Sequence, residues 1–231
     1  MSKSLPAVTI TSADGPVKAV VLVLHGGREH SDAPVPAWSL AYLRMVPLAR
    51  AAHRAGAVGG VEVRLLRNRV RGWNAPDPDP VQDARWALDR IREDHPGVPV
   101  VLVGHSMGGR VALRVADDPA VAGVCALAPW TPSGEPVAAV EGRAVLIAHG
   151  TRDRMTDPAG SYSFASRAER STSRLARFEI GDEGHAMLRR AGVWTRLVSA
   201  FVQDVTAGLA TDAILAEAWT KPSAERLRIA V

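Results

Sequence analysis

Short apolar runs of strand length recur along the chain. The stretches between them place apolar residues every three or four positions. Val17–His25 (VKAVVLVLH) is almost unbroken, and Val58–Leu66, Val98–Gly104, Val121–Ala128 and Ala144–His149 have the same character. Such runs suit strands buried on both faces of a parallel sheet. Ala176–Ile180 is a weaker candidate, and Val8–Ile10 predicts a short strand near the start. Val81, Ala84, Leu88 and Ile91 share one helical face, as do Met107, Val111 and Val115; Trp194, Leu197, Phe201 and Val205 form a stripe near the end. Ser39–Arg54 also reads as helix, with Pro47 as a kink or a break. Alternating strands and helices predict an α/β fold with a mostly parallel central sheet and helices on both faces.

Three segments stand outside this alternation. Asn68–Pro80 (NRVRGWNAPDPDP) is proline-rich and is predicted to lack regular structure. Arg28–Trp38 is a loop directly after a strand. Gly208–Val231 holds a short helical pattern and then KPSAERLRIAV, and either docking or a free tail is compatible with it. A chain of 231 residues is expected to form one domain, 1–231, with 1–16 as an N-terminal segment and 208–231 as a C-terminal tail.

Composition narrows the class. The chain is 47% hydrophobic and 23% charged, as in an ordinary soluble globule. Its net charge of +4 rests almost wholly on arginine. The densest cluster, Arg64, Arg67, Arg69 and Arg71, has the spacing of a strand end entering a loop, not of a nucleic-acid-binding helix, so no nucleic-acid partner is expected. The single cysteine, Cys125, lies in an apolar run and is expected in the core. The start lacks the apolar stretch of a signal peptide, and no apolar run approaches the ~20 residues of a membrane span. A cytoplasmic protein with no membrane insertion is the expectation. No metal-ligand cluster and no nucleotide-binding glycine fingerprint is present, so neither metal nor cofactor is expected.

The chemistry concentrates in VVLVGHSMGG, where an apolar strand runs into Gly104-His105-Ser106-Met107-Gly108 and a helical pattern follows. This G-x-S-x-G pattern puts a serine on a sharp strand-to-helix turn, with small residues two positions either side to relieve crowding. The turn lifts the hydroxyl clear of the sheet and aims the Met107 N–H from a helix start, where developing negative charge is favoured. GHSMGG resembles the nucleophile elbow of α/β-hydrolases, and the resemblance extends from about Val17 to Phe201.

That resemblance implies an acid and then a histidine after Ser106, in the order of a Ser-His-Asp triad. His149-Gly150-Thr151-Arg152-Asp153 is similar to the strand-end HGxxD pattern in which the aspartate is the acid; Asp157, the rival, precedes Pro158 and reads as a helix cap. His185, after a glycine on a loop between the last strand and the last strong helix, is the expected base. Asp182 and Glu183 beside it are expected to be solvated. His25-Gly26-Gly27-Arg28 is similar to the family's oxyanion loops, which makes Gly27 the expected second donor beside Met107, Arg28 the alternative, and His25 a structural support. Trp130, Trp73, Trp38, Met155 and Arg28 are candidates for the walls of a substrate pocket. Only Trp130–Arg143 separates two strands where many relatives insert a cap, so an uncapped, open site is expected.

Together these features imply a serine hydrolase of small-molecule acyl esters, similar to small carboxylesterases and dienelactone-hydrolase-like enzymes, although with serine where many of the latter have cysteine. An acyl thioesterase with the same triad and a ligand-binding, non-enzymatic member of the fold are the alternatives. The oligomeric state is open.

Overall fold

The computed structural model describes residues 5–56, 59–172, 174–208 and 212–231. Eight strands form one sheet: β1 (Ala7–Thr11), β2 (Ala19–Leu24), β3 (Val61–Arg67), β4 (Val100–His105), β5 (Val121–Leu127), β6 (Ala144–Gly150), β7 (Leu175–Ile180) and β8 (Ile229–Ala230). Their spatial order is β1-β3-β2-β4-β5-β6-β7-β8, and every neighbouring pair is parallel except β1 with β3. Each strand from β1 to β7 matches an expected run, with ends shifted inward or outward by up to three residues; Val58 of one run lies outside the described residues.

Side-chain alternation explains how one strand serves two layers. Val21, Val23, Val101, Val103, Cys125 and Leu127 face a core closed by α2 (Met45–Gly56) and α6 (Ala191–Ala207). Val20, Leu22, Val100, Leu102, Val124 and Ala126 face the opposite core, closed by α3 (Asp79–Asp94), α4 (Met107–Arg114) and α5 (Pro158–Ala168). Burial pushes the Cys125 thiol well above its usual range. The expected helix over Ser39–Arg54 is broken at Arg44 into α1 (Leu40–Leu43) and α2. Pro47 falls in the first turn of α2, where its missing N–H costs no intrahelical bond.

The expectation of no regular structure over Asn68–Pro80 holds up to Pro78 and is corrected at its end. Asp79 and Pro80 already belong to α3, and the remainder is zipped to the loop after β2 by non-local bonds. Arg28 N–H donates to Arg71 O (2.8 Å), Trp73 N–H to Arg28 O (2.8 Å) and Arg71 N–H to Ala33 O (3.0 Å). Half of the arginine cluster is ion-paired, Arg64 with Glu62 and Asp94 and Arg69 with Asp79 and Asp83, while Arg67 and Arg71 donate to the Val35 and Pro34 carbonyls. Residues 212–231 dock. Here α7 (Ala213–Thr220) buries Leu215 and Ala218, α8 (Ser223–Arg226) follows, Leu227 is buried, and β8 adds an edge strand beside β7.

Trp130–Arg143 holds a single 3₁₀ turn, Ala138–Val140, and no cap domain. Among the described residues no helix is long and apolar enough to cross a membrane.

Candidate active site

Parallel strands carry the candidate residues to one edge. Ser106 follows β4, Asp153 follows β6, His185 follows β7, and the Gly26-Gly27 loop follows β2. Ser106 has φ 58° and ψ −120°, a strained conformation for a residue with a Cβ. The surroundings hold it there. Its N–H donates to Leu127 O (2.9 Å), and its carbonyl accepts from Trp130 N–H (3.1 Å) and Arg110 N–H (3.2 Å). A Cβ on Gly104 would collide with the Gly108 backbone, and one on Gly108 with the Leu24 backbone, so the turn can close only on glycine.

His185 Nε2 lies 3.0 Å from Ser106 Oγ, and its Nδ1 lies 2.8 Å from Asp153 Oδ2. Asp153 is buried, which alone would raise its pKa. Donors from His149, His185, Thr156 N–H and Met155 N–H outweigh burial and hold the carboxyl well below the usual range. Asp157 caps α5 instead, accepting from Ala159 N–H at 2.9 Å.

Two further side chains support this pair. Thr156 Oγ1 sits 2.8 Å from Asp153 Oδ2 and 3.1 Å from His185 Nδ1. His149 approaches Asp153 from behind. Its Nε2 faces Thr156 O (3.2 Å) and Asp153 Oδ2 (3.3 Å), which only accept, so Nε2 carries a proton. His149 Nδ1 meets Ser161 Oγ at 2.9 Å, and the buried Arg177 donates Nε–H to that oxygen at 3.1 Å. The HGxxD pattern marks His149, but nothing local marks Thr156.

Glu183 is a correction. Asp182 is exposed as expected, whereas Glu183 is buried and accepts from Gly184 N–H (2.8 Å), Arg190 N–H (2.7 Å) and Trp194 Nε1–H (3.2 Å). A carboxylate at the start of α6 satisfies free N–H groups and the helix dipole. It thereby ties down the loop that carries His185. His105 braces the same loop: its Nε2–H donates to His185 O at 3.0 Å, and burial lowers its pKa to about 3.

On the other side, Gly26 abuts Ser106, and a Cβ on it would lie 3.2 Å from Ser106 Cβ. A Cβ on Gly27 would strike Arg71 O and the Met107 side chain, so Gly27 and Met107 are neighbours. His25 Nε2 accepts from Asn68 N–H (3.1 Å), leaving Nδ1–H to donate to Gly26 O (2.6 Å); burial lowers its pKa to about 4.

The candidate wall residues separate. Trp73 is buried edge-to-face against Trp130 (centroids 5.9 Å apart), with the Arg110 guanidinium over both rings and bound to Glu135. Trp130 and Met155 line a hollow of about 470 Å³ beside the acid loop. Arg28 and Trp38 line one of about 360 Å³ beside Gly26 and Gly27. Among the described residues no group of three His, Cys, Asp or Glu side chains could hold a metal ion.

A family model described as the alpha/beta hydrolase family matches residues 20–229. The chain belongs to the alpha/beta hydrolase family. No curated protein matches this hydrolase in sequence. Solved structures resemble its fold. An α/β serine hydrolase without a lid from Xanthomonas campestris is 19% identical, with a TM-score of 0.61 over 90% of this chain and 91% of that one. Est1E from Butyrivibrio proteoclasticus, solved with ferulic acid bound, is 14% identical, with a TM-score of 0.64 over 87% and 96%. An α/β serine hydrolase homologue from Coxiella burnetii is 16% identical, with a TM-score of 0.61 over 84% and 90%. At these identities and TM-scores, the likeness is one of fold.

Proposed function

We propose that this hydrolase cleaves carboxylic esters of small molecules through an acyl-enzyme, with Ser106 as nucleophile, His185 as base and Asp153 as acid. The supporting observation is the unbroken run from Ser106 Oγ to His185 Nε2 (3.0 Å) and from His185 Nδ1 to Asp153 Oδ2 (2.8 Å). Ser106 Oγ attacks the acyl carbon as His185 Nε2 takes its proton. The tetrahedral oxyanion is held by the N–H groups of Met107 and Gly27. Arg28 is the weaker second donor, because its N–H is already committed to Arg71 O. His185 then gives its proton to the leaving oxygen. A water activated by His185 releases the acid product and restores Ser106. Asp153 keeps the Nδ1 tautomer and offsets the imidazolium that forms.

The test compares wild type with Ser106→Ala on p-nitrophenyl esters of graded acyl length and on acyl-coenzyme A thioesters. The variant should lose at least ~10⁴-fold in kcat on the esters, as expected when a triad member is removed. A fluorophosphonate should label wild type only. Preference for the thioesters would replace the ester assignment. Wild-type protein inert on every substrate and unlabelled would leave a binding protein on this scaffold.

A further inference from the structure

Seven large apolar side chains are exposed among the described residues. Leu5 and Ile10 belong to the N-terminal segment. The other five, Trp38, Leu40, Leu43, Met155 and Leu188, all follow the C-terminal ends of parallel strands, on the edge that carries Ser106. Trp38 (78%), Leu40 (77%) and Leu188 (72%) are nearly bare. They are not scattered. Leu40, Leu43 and Leu188 rim one groove of about 360 Å³ that starts at Ala186, the residue after His185, and Leu40 also borders the hollow beside Gly27. Exposed apolar side chains gathered around one groove point to a contact site, where single scattered ones would not.

Arginines stand among these tips. Arg28 and Arg189 are exposed and Arg44 half-buried, and none has a carboxylate in ion-pair range among the described residues. Other arginines divide: Arg64, Arg69, Arg92, Arg110 and Arg174 each hold an acid, whereas the exposed Arg50, Arg54 and Arg170 have none in range among the described residues, so it is the company of the apolar tips that sets this group apart. Glu29 and Asp32, on the Arg28 loop, offset part of this charge. Apolar tips flanked by unneutralised cations match one partner chemistry. A lipid surface offers hydrocarbon to the tips and anionic headgroups to the arginines.

We propose that the catalytic edge of this hydrolase docks on anionic lipid surfaces, with Trp38, Leu40 and Leu188 entering the headgroup layer and Arg44 and Arg189 meeting phosphate groups. No cap stands between that surface and Ser106. For the substrate, the inference rests on the ester-hydrolase reading: the ester it points to is one carried by an aliphatic lipid, presented from the surface itself.

Binding is measured by co-sedimentation with phosphatidylcholine vesicles, with and without equal phosphatidylglycerol, at low and high salt. Wild type should bind the anionic vesicles and release as salt rises. Leu40→Ser with Leu188→Ser should weaken binding more than about tenfold, and Arg189→Gln about fivefold, the loss expected for one cation at such a surface. Vesicles should shift Trp38 emission to the blue, a change that Trp38→Phe removes. An unchanged thermal midpoint shows that each variant is folded. Three results overturn the proposal: no binding to anionic vesicles, binding indifferent to the leucine variants, or a dimer in solution that those variants dissolve, which would assign the face to a second copy. Turnover of p-nitrophenyl acetate, followed in parallel, separates the two readings. Absence of turnover on it and on the longer p-nitrophenyl esters would sink the esterase assignment while the vesicle result stands.

Discussion

At the scale of single residues, Asp153 receives more than the triad requires. It takes Nδ1–H from His185, two backbone N–H groups, the Thr156 hydroxyl and His149 from behind. Each donor removes one rotation of the carboxylate, so the His185 ring has one orientation to adopt. Replacing His149 by Phe strands the Thr156 carbonyl and frees that side of Asp153. We expect kcat/KM for a short-chain ester to fall about tenfold, the worth of one good hydrogen bond, with ~1–3 kcal/mol of stability lost to the unpaired group. His149→Gln, which keeps a donor, should recover most of the rate. Equal losses in the two variants, by steady-state kinetics, would mean that His149 only fills space. Ser106, Asp153 and His185 stand out in the sequence because their motifs are local. Thr156 and Glu183 do not, since no motif marks them and part of their bonding is to other elements: His185 for Thr156, and Trp194 on α6 for Glu183.

At the scale of elements, the strands were legible because burial on both faces demands unbroken Val, Leu and Ile. VVLVL can hardly be read otherwise. The segment Asn68–Pro80 was not, because its order comes from pairing with residues 28–35, and no local pattern records that partner. The tail is similar. IAV is too short to announce a strand, yet β8 completes the sheet edge, and Arg177 Nη1–H holds Leu227 O at 3.1 Å. Arg177 also touches Ser161, so one buried arginine joins the tail to the Ser161–His149 pair behind Asp153. Leu227→Ala should cost about 2–5 kcal/mol, the range for truncating a buried leucine. Urea unfolding followed by circular dichroism gives the value. A cost under half a kcal/mol would show that the tail adds nothing to the fold.

At the scale of the whole molecule, two buried histidines set a pH limit. Burial lowers His25 and His105 from their usual 6.5 to about 4 and about 3. The unfolded chain therefore binds more protons than the folded one below pH 6.5, and stability must fall as pH drops through that window. Asp153, held low, adds its own loss in the same direction once pH passes below the ordinary carboxylate range. On the order of several kcal/mol should be gone by about pH 4. Urea midpoints at neutral, mildly acidic and acidic pH test this, and a flat profile from 7 to 5 would refute it. The zipped pair of loops has a different consequence. Because Arg28 donates to Arg71 O and accepts from Trp73 N–H across it, the segment bearing Gly27 behaves as a clasp fastened during folding. Its alignment is settled once, when the chain folds, and no turnover has to repeat it. The clasp also has a remote pin: a side chain at Gly72 would run into the Ser31 backbone. Damage there, which leaves Ser106, His185 and Asp153 themselves untouched, would surface as slow chemistry in a protein that otherwise looks intact.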